Sequence, residues 1–307
     1  LWLKRLSLHD ICHWDFPPIR ELLSKIIIQE AWAFGRRQLA QASFTPDVDA
    51  RLLLEHILQI EHSLLAAHGD RNLTPSQEQA YHDLLARAAS REPIPYLTGT
   101  APFFDFDLTV NPSVLIPRPE TEELVGHAVA WAGSRAGLTI VDVGTGSGSI
   151  AIALARNLPP STLVATDISF SALQVACFNA EKHAKQPIHF LQGDLLSPLA
   201  GMFDLIIANL PYIADAEWTQ VDDGVKLYEP SVALSGGSDG LDLLRELLDQ
   251  AALKLCPGGA IFLEIGWQQG EVMRQLAGDK FPHAEIEIIA DLAGQDRIVQ
   301  ILTNKPA

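Results

Sequence analysis

After Thr121 the chain alternates short apolar runs of β-forming residues with helical segments, and this alternation constrains the fold more than any other feature. The runs fall at residues 138–143, 162–166, 188–191, 203–208 and 260–265. Strands spaced by helices form a parallel sheet, because each return to the start of the next strand needs a crossover long enough to hold a helix. Two further strands, 285–290 and 297–302, are separated only by a loop containing Gly294, which predicts an antiparallel hairpin closing the sheet. The expected fold class is α/β.

At 307 residues the chain is longer than the roughly 250 that one hydrophobic core holds, so a second unit is expected. Residues 19–90 carry helical periodicity, with Leu23, Ile27, Ala31 and Phe34 on one face and Leu53, Ile57, Ile60 and Leu64 on another. Ile26, Ile27 and Ile28 read as part of the first amphipathic helix. Thr45-Pro46 and Thr74-Pro75 are helix starts, and Gln77 completes a capping box with Thr74. Between residues 91 and 120 come six prolines and the alternating run Phe104-Asp105-Phe106-Asp107-Leu108, read as a linker with a short hairpin. The expected organisation is an irregular leader or tail over 1–18, a helical substrate-recognition domain over 19–90, the linker over 91–120, and a catalytic domain over 121–307.

Lys plus Arg number 22 against 38 Asp plus Glu, a net charge of -16 that repels polyanions, so direct nucleic-acid binding is not expected. Cys12, Cys177 and Cys256 have neither paired nor metal-ligand spacing and read as small core residues in a reducing compartment. The histidines show no metal-ligand spacing either, and no metal is expected. No apolar run reaches the ~20 residues a bilayer requires, and no export signal is recognisable; no membrane association and a cytoplasmic location are expected.

The run Val141-Asp142-Val143-Gly144-Thr145-Gly146-Ser147-Gly148 ends a strand and opens a helix, a glycine turn where backbone N–H groups can approach a small polar ligand. A dinucleotide fingerprint requires a third glycine where Ser149 stands, which weakens a nicotinamide reading. Asp167, at the end of the second strand, suits the ribose hydroxyls of an adenosine ligand, a feature shared by NAD and S-adenosylmethionine sites. The bland alternative is that Asp167 caps the following helix near Ser169. Asp194 and Leu195 follow the third strand and suit an adenine amino group and ring, or serve as an ordinary turn.

The fourth strand delivers Asn209-Leu210-Pro211-Tyr212 to the carboxyl end of the sheet, where ligand sites of such folds lie. An amide nitrogen is a poor nucleophile because its lone pair is delocalised, so methylating one requires acceptors that orient and polarise the NH₂ group. Asn209 Oδ1 and the carbonyl of residue 210 suit the two hydrogens, and Tyr212 suits stacking on a planar target. A strand-end turn with surface packing of Tyr212 is the alternative.

With Pro95-Tyr96-Leu97-Thr98-Gly99, Ile116-Pro117-Arg118-Pro119-Glu120-Thr121-Glu122, Glu229-Pro230, residues 236–241, Pro257-Gly258-Gly259, Glu264-Ile265-Gly266 and residues 294–297, the chain resembles the bacterial release-factor glutamine methyltransferases over roughly residues 19–303. The resemblance implies a Rossmann-like catalytic sheet preceded by a small helical domain that helps hold a release factor. It also implies N5-methylation of the glutamine in a Gly-Gly-Gln tip. S-adenosylmethionine is implied as cofactor, on Gly144, Thr145, Gly146, Ser147, Gly148, Asp167, Asp194, Leu195 and Asn209. Asn209 to Tyr212 are implied as catalytic and, with Arg118, substrate-binding.

Other readings of the same residues are a ribosomal-protein glutamine methyltransferase, a nucleic-acid amino methyltransferase, a non-enzymatic S-adenosylmethionine-binding module, and hydride transfer with NAD. One position departs from the family pattern of Asn-Pro-Pro-Tyr, Leu210 standing for the first proline. Leucine keeps the carbonyl but frees φ, so catalysis is expected to be less preorganised, not abolished. Leu210→Pro is therefore expected to hold or raise the methylation rate on a Gly-Gly-Gln substrate; a slower variant would contradict this.

Overall fold

The computed structural model describes residues 26–304, and these divide into two compact units that meet between Ser90 and Arg91 in the sequence. The leader, Cys12 and Leu23 lie outside the described residues.

The first unit holds α1 (Ile28–Leu39), α2 (Pro46–Leu58), α3 (His62–Ala67) and α4 (Pro75–Ala89). Ile26 and Ile27 precede the first helix, and Ile27 instead bridges Asn72. The buried stripe of α1 is Ile28, Ala31, Gly35 and Leu39, a turn around from the expected Ile27 and Phe34. On α2 the buried residues are Ala50, Leu53 and Leu54; Gln59 in the left-handed region ends the helix before Ile60, and Leu65, not Leu64, faces inward. The reason is a tertiary contact: a small residue is needed where α1 meets Tyr81 of α4. An added Cβ on Gly35 would lie 2.0 Å from the Tyr81 hydroxyl, which donates to the Ala50 carbonyl at 3.1 Å. Thr74 Oγ1 accepts from the Gln77 N–H at 3.2 Å while Gln77 Oε1 accepts from the Thr74 N–H at 3.0 Å, a closed capping box.

Residues 91–120 fold with the second unit, their prolines notwithstanding. They contain α5 (Ile94–Thr98) and a two-stranded antiparallel ribbon, β1 (Thr100–Phe103) and β2 (Phe106–Thr109). Phe103, Leu108, Val110 and Val114 are buried in its core, so the aromatic and apolar residues outweigh the proline signal.

The main sheet has seven strands: β3 (Thr139–Val143), β4 (Thr162–Asp167), β5 (Ile188–Gln192), β6 (Phe203–Ala208), β7 (Leu255–Glu264), β8 (Glu285–Ala290) and β9 (Asp296–Leu302), in the order β5-β4-β3-β6-β7-β9-β8. The first five are parallel, and β9 enters antiparallel between β7 and β8. Successive side chains alternate faces. Ile140, Leu205, Ile207 and Phe262 pack under α6 (Pro119–Ala132) and α7 (Ser149–Asn157). Val141, Ile206, Ile261 and Leu263 pack under α10 (Asp242–Ala251) and α11 (Gly270–Lys280). The strand order reverses between β3 and β6, which places the crevice of the fold at their carboxyl ends. Cys177, on α8 (Phe170–His183), is exposed and Cys256 half-buried, so neither is the core filler expected.

Gly35→Ala should destabilise the helical unit by about 1–3 kcal/mol through overpacking against Tyr81, read as a lower urea midpoint. An unchanged midpoint would show that the unit yields there at no cost.

Candidate active site

At the end of β3 the glycine turn is built from within. Gly144, Gly146 and Gly148 all have positive φ, which glycine adopts without strain. The N–H groups of Gly144 and Thr145 both donate to the Thr166 carbonyl at 2.9 Å, that of Gly148 to the Thr145 carbonyl at 2.8 Å, and that of Gly146 to Asp167 Oδ2 at 2.9 Å. This corrects the expectation that these groups are offered to a ligand. What the turn presents is bare backbone: an added Cβ on Gly146 would meet no protein atom within 4 Å. A dinucleotide pyrophosphate needs free donors at this point, whereas an adenosine ligand without phosphates needs only close approach, so the turn suits S-adenosylmethionine.

Asp142 lies beneath the turn, accepting from Thr145 Oγ1 at 2.6 Å and the Ala151 N–H at 3.2 Å, while its Oδ1 has no partner. Burial pushes its carboxyl up to about 7. Asp167 is held by the Gly146 and Ser169 N–H groups, burial pushing its carboxyl up against the downward pull of those bonds. The N-cap of α8 is Ser169, which accepts from the Ala172 N–H, and Asp167 supports that helix start through the Ser169 N–H without being its cap. Asp194 is exposed at the rim with its carbonyl in a turn to Ser197, and Leu195 is buried in the left-handed region at φ 48°. Such a strained backbone is retained where surroundings over-determine it, here by the bond from Thr166 Oγ1 to the Leu195 carbonyl at 3.0 Å.

Gly144, Thr145, Gly146, Ser147, Asp167, Asp194 and Leu195 line one cleft, which also takes in Arg118, Thr121, Ile168, Asn209, Leu210 and Pro211; Gly148, packed towards Ile152 and Ala176, does not reach it. A second cavity lies against Asn209, Leu210, Pro211, Tyr212, Val225 and Glu264. The tetrapeptide after β6 is thus a wall shared by two cavities. Tyr212 lines only the second. Leu210 is 4% exposed, and an added Cβ on Gly144 would meet its Cδ2 at 2.8 Å, so its side chain is fitted onto the glycine turn.

Several polar residues that pattern reading left unassigned hold this wall. Asn209 Nδ2 donates to Thr121 Oγ1 at 2.9 Å, Thr121 Oγ1 donates to Glu264 Oε2 at 2.7 Å, and the Tyr212 hydroxyl donates to Glu264 Oε1 at 3.4 Å. Gln269 Nε2 donates to the Tyr212 carbonyl at 3.0 Å, and its Oε1 accepts from the Gly266 N–H at 2.8 Å. Asn179 donates to the carbonyls of Ser147 and Thr109, tying the glycine turn to β2. Arg118 reaches the buried Glu229 at 2.5 Å, and Glu229 also accepts from the Ile116 N–H. The Glu229-Pro230 motif is therefore the brace of Arg118. Trp267, three residues before the helix Gly270–Lys280, is 55% exposed and lines neither cavity. Among the described residues no cluster suits a metal ion, and no helix is long and apolar enough to cross a membrane.

Burial pushes the Glu264 carboxyl up to about 7, opposed by its bonds and by Arg297 and reinforced by Glu120. Folded, it keeps its proton to about pH 7; unfolded, it loses it near 4.5. Between these values the folded state binds more protons, so stability falls as pH rises through the window and levels off above it. Glu264→Gln should remove this slope, the wild-type and variant unfolding free energies diverging by about 3 kcal/mol across the window in urea titrations. Parallel curves would contradict it.

Two family models match the chain, "PrmC N-terminal domain" over residues 30–99 and "Methyltransferase small domain" over residues 130–225. A release factor glutamine methyltransferase of Gloeobacter violaceus is 40% identical over 276 residues, covering 88% of this chain and 96% of its own length. The release factor glutamine methyltransferase of Escherichia coli is 38% identical over 262 residues, covering 84% and 92%. A methyltransferase of Pyrococcus furiosus has a TM-score of 0.50 at 18% identity, covering 73% of this chain and 99% of its own, a likeness of fold. A helical unit, a sheet with its glycine turn and Asn209-to-Tyr212 wall, and identity sustained across relatives of nearly the same length lead to one conclusion: the chain belongs to the release factor glutamine methyltransferase family.

Proposed function

We propose that this chain transfers a methyl group from S-adenosylmethionine to the side-chain nitrogen of the glutamine in the Gly-Gly-Gln tip of peptide-chain release factors. The observation that carries the reading is the wall at residues 209–212, which separates a cleft suited to an adenosine ligand from a second cavity suited to a side chain. S-adenosylmethionine supplies an electrophilic methyl on a sulfonium sulfur.

The chain's own part is to make a weak nucleophile available. Asn209 Oδ1 and the Leu210 carbonyl accept the two amide hydrogens, which orients the NH₂ group and draws electron density onto nitrogen as the methyl bond forms. As the N–C bond forms, the S–C bond breaks to leave a neutral thioether, and the nitrogen then loses one proton to solvent and regains amide planarity. Tyr212 packs beside the planar group, and Pro211 keeps residue 210 extended. Gly144, Gly146, Asp167, Asp194 and Leu195 hold the adenosine end of the donor, while Arg118, braced by Glu229, borders both cavities. The helical unit supplies further contacts to the release factor, and the reaction takes place in the cytoplasm with its substrate.

Purified protein, labelled S-adenosylmethionine and an unmodified release factor should yield one methyl on the Gly-Gly-Gln glutamine by mass spectrometry, and none on its Gln→Ala variant. Asn209→Ala should lower kcat about 100-fold or more with donor affinity retained. Methyl on another amide or on a nucleobase amino group, with the release factor untouched, would overturn the reading.

A further inference from the structure

An asparagine side chain is nearly symmetric in shape but opposite in chemistry at its two ends. With Oδ1 towards a substrate amide, Asn209 accepts a hydrogen; rotated by half a turn, it presents a second NH₂ and the two donors repel. The rate of a reaction that depends on this acceptor scales with the fraction of molecules in which the side chain faces the right way. Nothing in the tetrapeptide itself decides that.

We propose that Thr121 and Glu264 are positioning residues that fix which end of the Asn209 amide faces the substrate, an inference that rests on the function proposed above. Glu264 is 1% exposed and, above about pH 7, where it gives up its proton, only accepts hydrogen bonds. It takes the hydroxyl hydrogens of Thr121 at 2.7 Å and Tyr212 at 3.4 Å. A hydroxyl has one hydrogen, so Thr121 Oγ1 has only lone pairs left for Asn209. Nδ2 must therefore face Thr121, as it does at 2.9 Å, and Oδ1 is turned to the opposite side of the amide.

Above about pH 7 the direction of every bond in this network follows from one buried carboxylate, and the variants below are compared above that pH. Thr121 is itself 3% exposed, so water does not compete for its lone pairs. The links span 88 residues from Asn209 to Thr121 and 143 from Thr121 to Glu264, bringing the ends of β6 and β7 and the first turn of α6 to one point. Tyr212 is drawn into the same network, so both ends of the tetrapeptide are aligned by the same carboxylate.

Thr121→Val keeps the shape and removes the hydroxyl; Thr121→Ser keeps the hydroxyl. Thr121→Val should lower kcat about 10-fold, the loss of one directional hydrogen bond, with S-adenosylmethionine Kd and release-factor KM within twofold of wild type. Thr121→Ser should restore kcat to within about twofold. In protein without methyl donor, the Asn209 Nδ2 resonances should show one slowly exchanging hydrogen in wild type and Thr121→Ser and none in Thr121→Val. Glu264→Gln, which adds a donor opposite Thr121, should lower kcat at least as far. A wild-type chain that leaves release factors unmethylated would overturn the function, whatever the variants do. A wild-type chain that methylates them, with Thr121→Val as fast or with donor binding lost in step with kcat, would overturn the positioning role alone.

Discussion

Strand β3 is hydrogen-bonded in parallel to β4 on one side and to β6 on the other, and the site depends on this double pairing. The chain leaves β3 towards one face through the glycine turn, goes out to β4 and β5, and returns to β6 on the far side. The carboxyl ends of β3 and β6 are therefore adjacent while the connections that follow them diverge, and the space between them has nothing of the sheet to fill it. Apart from Arg118 and Thr121, which come from the start of α6, the groups with a proposed role are delivered to that gap by strand ends or the loops directly after them. The central strands are buried on both faces, which fixes the gap's floor rigidly.

The sheet was legible because β-branched and apolar runs of strand length leave few alternatives. Residues 203–208 and 285–290 are strands with the bounds read from the sequence. The helical unit was legible as helices but not as faces. In α1, Ile27 and Ile28 are adjacent and chemically alike, and only the meeting of Gly35 with Tyr81, 46 positions on, selects Ile28 for the interior. The glycine turn was recognisable, yet the destination of its N–H groups was not, since that depends on the Thr166 carbonyl across the strand pair. Thr121, Asn179, Glu229 and Gln269 carry no local pattern that distinguishes them from capping or surface residues. Each has a partner 57 to 143 residues away, a separation at which periodicity carries no information.

The site is costly to keep folded. Two carboxyls, Asp142 and Glu264, are buried deeply enough to hold protons towards neutrality, and Asp142 Oδ1 has no hydrogen-bond partner. Leu195 sits in a backbone region that leucine rarely occupies. These features oppose stability and are offset by the apolar layers on both faces of the sheet, the usual relation between a rigid scaffold and a strained functional edge. The same burial strengthens the bonds that remain, because hydrogen bonds are stronger in a low-dielectric setting.

The contact of Leu210 with Gly144 means that the wall between the two cavities and the turn beneath the donor share a single volume. In evolutionary terms the two positions are not free to drift separately. A side chain added at 144 obliges the branched residue at 210 to move aside, and a smaller residue at 210 leaves a void above the turn. Lineages that exchange proline and leucine at this place must cross that coupling by adjusting the turn's neighbours, so the history of position 210 is expected to be written in the residues packed around the glycines and not in the catalytic tetrapeptide alone.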